Sequence, residues 1–192
     1  MARRNSTEIA LNLVDPAGEL WSDQPRQQPR EVIREVSDTD GILYLFDPIR
    51  EFEVGDTYSS ISRLISQVSR ETAIDRGQDF DGVLPHHVAV CVTKFDEPRV
   101  LATARRMGVV TTDPEDPYGF PRVRDGDARR VFAKLCNGDG EMVLNTMDRT
   151  FRRDRVRYFV TSAIGFPADP GPVNPINVAE PVLWLAEQIA KT

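Results

Sequence analysis

Lys94 and Asp96 stand two positions apart just beyond the apolar run Val88-Ala-Val-Cys-Val92. Such a run reads as a buried parallel strand, and open α/β sheets bind ligands beyond the carboxyl ends of their strands. An aspartate there can accept two hydrogen bonds from the edge of a planar base, while the stem of a lysine lies along the base's face. Guanine presents such a donor pair on N1 and N2; adenine does not. Asp96 also suits a plainer use, since Glu97-Pro98 follows and an aspartate before a helix start is a good cap. Lys94 would then be an ordinary edge lysine. Two further strand ends carry candidates: Ile9-Ala-Leu-Asn-Leu-Val14 leads into Asp15-Pro16-Ala17-Gly18, and Tyr158-Phe-Val-Thr161 leads into Ser162-Ala163. The first of these also suits an ordinary strand-to-helix turn.

The three fragments together resemble the P-loop GTPases. Thr93-Lys94-Phe95-Asp96 is similar to that family's [N/T]-K-x-D motif, Asp15-Pro-Ala-Gly18 to its D-x-x-G motif, and Ser162-Ala163 to its third base-contacting loop, in the family's order. The resemblance implies GTP or GDP with Mg²⁺ as cofactors. Asp96 would take guanine N1–H and N2–H, Lys94 would cover the ring, and the Thr93 hydroxyl would bridge neighbouring loops. Ser162 and Ala163 would offer a main-chain N–H to guanine O6. Asp15 would hold Mg²⁺ through water, and the Gly18 N–H would face the γ-phosphate. Glu19 falls where many relatives place the residue that orients the attacking water, which makes it the catalytic candidate. Trp21 reads as a packing anchor or a partner contact.

The family's G-x-x-x-x-G-K-[ST] string is absent from the sequence. That loop supplies the lysine and the Mg²⁺-binding hydroxyl on which phosphoryl transfer depends. The expectation is a GTPase-like domain that begins at its D-x-x-G strand and lacks its P-loop segment, inactive alone and hydrolysing GTP only with a P-loop from another segment or chain. The alternative is a pseudo-GTPase scaffold or interaction module. The Asp-Pro-Ala-Gly-Glu, Leu-Tyr-Leu-Phe-Asp-Pro and Glu-Pro-Val-Leu-Trp-Leu stretches also resemble bacterial double-GTPase-type domains. An unrelated doubly wound domain, with Asp47 as a phosphoacceptor at a strand end, is the third reading.

To position these residues the chain needs strands ending on one rim. Residues 8–14, 41–46, 88–93 and 156–161 are short apolar runs separated by helix-period segments, the pattern of a mainly parallel sheet in an α/β three-layer sandwich. Helices are expected at about 29–37, 57–75, 98–107, 126–136, 139–151 and 178–190, the last capped by Asn177 or Glu180. The chain reads as one domain, 1–192, with an inserted helical region at about 97–155. The stretches 111–121 and 166–175 are too rich in Pro, Asp and Gly to be regular. His86-His87 reads as a turn, without partners at metal-ligand spacing. The arginines from Arg149 to Arg157, interleaved with Asp148 and Asp154, read as a solvated face. The acids Asp113, Glu115 and Asp116 read the same way.

Composition narrows the partners. A net charge of −6 and a pI near 5.0 argue against coating nucleic acid or an anionic membrane. Two cysteines do not make a disulfide scaffold, and a reducing cytoplasm is the natural reading. A sheet without its central strand leaves open edges, so a protein partner or self-association is expected.

Overall fold

The computed structural model of the chain describes residues 30–112, 115, 120–124, 126–165 and 175–191. The expected strand at 8–14 and the candidates Asp15, Gly18, Glu19 and Trp21 lie outside them, as do Asp113, Asp116 and residues 166–174.

Three short apolar runs form the sheet: β1 (Gly41–Phe46), β2 (His87–Val92) and β5 (Val156–Val160), all parallel, in the order β1-β2-β5. β2 lies between the other two, and all six of its residues are buried, which explains its unbroken apolarity. Register pairs Phe46 with Val92 and Val92 with Val160, so the three strands end level.

Helices cover both faces of this sheet. On one face Val88, Val90, Val92 and Phe46 pack with residues of α3 (Thr57–Arg76), α4 (Pro98–Arg106), α5 (Ala128–Leu135) and α6 (Gly140–Thr150). Phe132 stands edge-on to Phe46 at 5.0 Å between ring centres and lies 5.5 Å from Tyr158. On the other face Ala89, Cys91 and Phe159 pack with Leu185 and Trp184 of α7 (Glu180–Ile189). α1 (Arg30–Ser37) rests on α3. The architecture is mixed α/β, with a parallel three-stranded sheet between helical layers.

Three features depart from the sequence expectation. A seven-residue helix, α2 (Pro48–Val54), follows β1 directly; it is short for a periodicity signal, but Asp47 caps it and Pro48 fits its first turn. The region after β2 is not purely helical, because β3 (Val110–Thr112) and β4 (Pro121–Val123) form an antiparallel pair separate from the main sheet. The cap of α7 is Ala179, with no side-chain bond, rather than Asn177 or Glu180. Asn177 instead adopts the left-handed region (φ 47°) and donates its side-chain amide to Val160 O at 3.1 Å.

His86-His87 is not an exposed turn. His87 begins β2, and both imidazoles are buried. Among the described residues neither ring has a hydrogen-bond partner of normal geometry, although the main chain of Ser37 and Val36 lies beside His86. Burial holds both below the ordinary histidine pKa; the charge of Arg155 adds to the effect at His87. The Arg155 guanidinium also donates to Pro85 O, which ties the start of β5 to the approach to β2.

Candidate functional site at the strand-end rim

Because the strands end level, the loops after β1, β2 and β5 meet at one rim. The segment after β2 is held from both sides. The Thr93 N–H and hydroxyl both donate to Phe46 O, at 3.0 and 2.8 Å, joining it to β1. The Phe95 N–H donates to Thr161 O at 3.1 Å, joining it to β5. Phe95 is fully buried and anchors the loop in the core, so the residues on either side of it face outward.

Lys94 occupies the left-handed region (φ 56°), and its carbonyl accepts the Glu97 N–H at 3.0 Å, closing a tight turn. A non-glycine residue held there carries backbone strain of about 1–2 kcal/mol. Its ammonium pairs with Asp47 Oδ2 at 2.6 Å. The other oxygen of Asp47 accepts the Ile49 and Arg50 N–H groups at 3.0 and 3.3 Å. Desolvation alone would raise the Asp47 pKa. The bonds from Lys94, Arg50 and Ile49, with the lysine charge, together hold it below the ordinary carboxylate value.

Asp96 does not cap a helix. α4 is preceded by Glu97, which makes no capping bond, and Asp96 Oδ1 instead receives the hydroxyl of Ser162. Asp96 Oδ2 has no hydrogen-bond partner among the described residues. Ser162 Oγ in turn accepts the Gly165 N–H at 2.8 Å, shaping the loop after β5. The Ser162 N–H and carbonyl are both used in a two-bond bridge with Ile176, at 3.0 and 2.8 Å. Of the two residues expected to offer a main-chain N–H, Ser162 therefore has none to give, and Ala163, which is exposed, remains.

The structure thus brings together Thr93, Lys94, Asp96, Ser162 and Ala163, and adds Asp47 and Asn177. The pairing of Asp47 with Lys94 had a signal in the sequence, since Asp47 directly follows one strand and Lys94 stands two residues past its neighbour. Asn177 had none, because its role depends on how the chain returns past β5. The rim presents a carboxylate, Asp96, held by Ser162 through one oxygen, with Lys94 paired to Asp47 and the exposed Ala163 in the neighbouring loop. Among the described residues no group of three His, Cys, Asp or Glu is placed to hold a metal ion.

No family model matches this sequence, and no curated protein or solved structure matches it.

Proposed function

We propose that the rim binds the base of a guanine nucleotide, in a GTPase-like domain whose phosphate grip comes from another segment or chain. The observation that carries the reading is the Asp96–Ser162 contact, which joins the two loops that the sequence resemblance assigns to the base. Asp96 Oδ1 is fixed by Ser162, so the open Oδ2 points with a defined orientation. Charge-assisted bonds from a guanine edge to this carboxylate would contribute about 1.5–3 kcal/mol each. Lys94 would lie against the ring with its ammonium still on Asp47, which the left-handed turn positions.

Titration of the whole chain with fluorescent GTP, ATP and XTP analogues tests this. GTP binds in preference to ATP, and Asp96→Asn moves the preference to XTP, whose extra carbonyl an asparagine amide can serve. Equal weak binding of all three by folded wild-type protein sinks the proposal. Hydrolysis by this chain alone is not expected; with a P-loop supplied, Glu19 would be the candidate to orient water and Asp15 to hold Mg²⁺ through water.

A second reading, a partner-binding module without hydrolysis, is favoured by the edge strand β1. Leu45 there is 62% exposed, and the outer side of the strand is unpaired among the described residues. The two readings are compatible if the partner supplies the missing strand. The free, buried Cys91 and Cys136 fit a cytoplasmic setting.

A further inference from the structure

β5 is also an edge strand: β2 lies on one side of it, and among the described residues no strand lies on the other. In a parallel ladder, alternate residues direct their main-chain groups to alternate sides. Thr161 gives its N–H to Val92 O and receives the Phe95 N–H, so Arg157, Phe159 and Thr161 face β2. Val156, Tyr158 and Val160 consequently face outward. Among the described residues, the chain's own return covers the upper end of that outer side alone, through the Ser162–Ile176 bridge and the Asn177 bond to Val160 O.

Below Val160 a cleft of about 260 Å³ opens along β5. Residues 156–160 form one wall; Val123, Arg124, Gly126 and the start of α5 form the other. Three arginines border it: Arg124 and Arg129 on the α5 side of the sheet, and Arg157, whose guanidinium shares the α7 side with Phe159. Arg124 pairs with Asp127 at 3.2 Å and Arg129 with Asp148 at 2.9 Å. Arg157 has no carboxylate partner among the described residues; its guanidinium lies 5.2 Å over the Phe159 ring. Solvent-facing ion pairs of this kind contribute little, so an incoming carboxylate can replace the aspartate at little cost.

We propose that this cleft is a docking groove for an extended acidic peptide, which adds a strand to β5. The outward main-chain groups of Val156 and Tyr158 would supply the ladder, and Arg124 and Arg157 would select carboxylates. In strand addition the main-chain bonds give affinity and the side-chain contacts give specificity. The groove is independent of nucleotide at the rim.

The test uses the whole chain and two fluorescein-labelled peptides, one repeating Glu-Glu-Val-Val, which presents carboxylates to both faces of an added strand, the other repeating Lys-Lys-Val-Val. The Glu peptide binds saturably, weakens as salt is raised, and binds at least about tenfold tighter than the Lys peptide. Arg157→Glu lowers its affinity by about tenfold with the thermal midpoint unchanged. Amide signals of Val156 and Tyr158 shift on binding. Three results would overturn the proposal: no saturable binding, equal binding of both peptides, or amide protons of Val156 and Tyr158 already protected in the free protein. Full affinity in both Arg157→Glu and Arg124→Glu would also overturn it.

Discussion

The ammonium of Lys94 lies 2.6 Å from Asp47 Oδ2, so the turn that follows β2 is fastened to the residue that follows β1. Both side chains are well exposed, 51% and 36%, and such a pair contributes about 0–1 kcal/mol. The left-handed backbone at Lys94 costs about 1–2 kcal/mol. The strain exceeds the pair, and the residue is less stable than a glycine would be.

Lys94→Gly therefore raises unfolding free energy by about 0.5–1 kcal/mol, read as a higher urea midpoint at unchanged slope. Lys94→Ala keeps the strain and loses the pair, so it is neutral or destabilising by under about 1 kcal/mol. Both variants weaken guanine binding. A glycine variant less stable than the alanine variant would refute the argument.

Asp47 does two jobs, and two substitutions separate them. Asp47→Ala removes the cap of α2 and costs about 1 kcal/mol. Asp47→Asn keeps an oxygen for the Ile49 and Arg50 N–H groups and loses only the charge, so its cost stays within a few tenths of a kcal/mol. Urea unfolding of the two side by side distinguishes cap from ion pair.

Gly140 is fixed by close approach rather than by its dihedral angle. A Cβ there would stand 2.1 Å from Ala133 O and 2.7 Å from its carbonyl carbon, main-chain atoms that cannot swing aside. Gly140→Ala must push the start of α6 off the α5 turn, at a cost of about 3 kcal/mol or more. A thermal midpoint within about 2 °C of wild type would show that the two helices separate easily.

His86 and His87 set an acid limit. Their folded pKa values lie below the ordinary 6.5, chiefly from burial, so the unfolded chain takes up protons first as pH falls. Their contribution is fully present above pH 6.5 and is lost progressively below it. Thermal unfolding at pH 7.5 and at pH 5.5 is expected to show a lower midpoint at the acid value, with about 2–4 °C lost for each kcal/mol. In His86→Phe the difference shrinks; an unchanged difference would place the acid sensitivity elsewhere.

The strands were legible because their chemistry is blunt. Tyr-Leu-Phe, Val-Ala-Val-Cys-Val and Tyr-Phe-Val are short apolar runs with helix-period segments between them, and the helix expectations at 57–75, 98–107, 126–136 and 139–151 fall within a residue or two of α3 to α6. The short elements escaped: α2 is held by one capping aspartate and β3–β4 by a three-residue pairing, neither long enough to show a period. The histidine pair escaped for a different reason. Two polar residues after a proline look like a surface turn, and only the packing of α1 and α7 against the sheet's lower end buries them. Within the rim, the grouping of Thr93, Lys94, Asp96 and Ser162 follows from strand order. That Ser162 spends its main-chain groups on Ile176 does not, since it depends on the path of a distant segment.

Among the described residues the lower layer consists of α7, against Ala89, Cys91 and Phe159. During synthesis the opposite face can form as soon as α6 and β5 leave the ribosome, whereas this face stays wet until residues 180–189 emerge. Until then the nascent chain presents an apolar surface to chaperones, and a stop codon before Trp184 would release a product that keeps its upper core but cannot close its lower one.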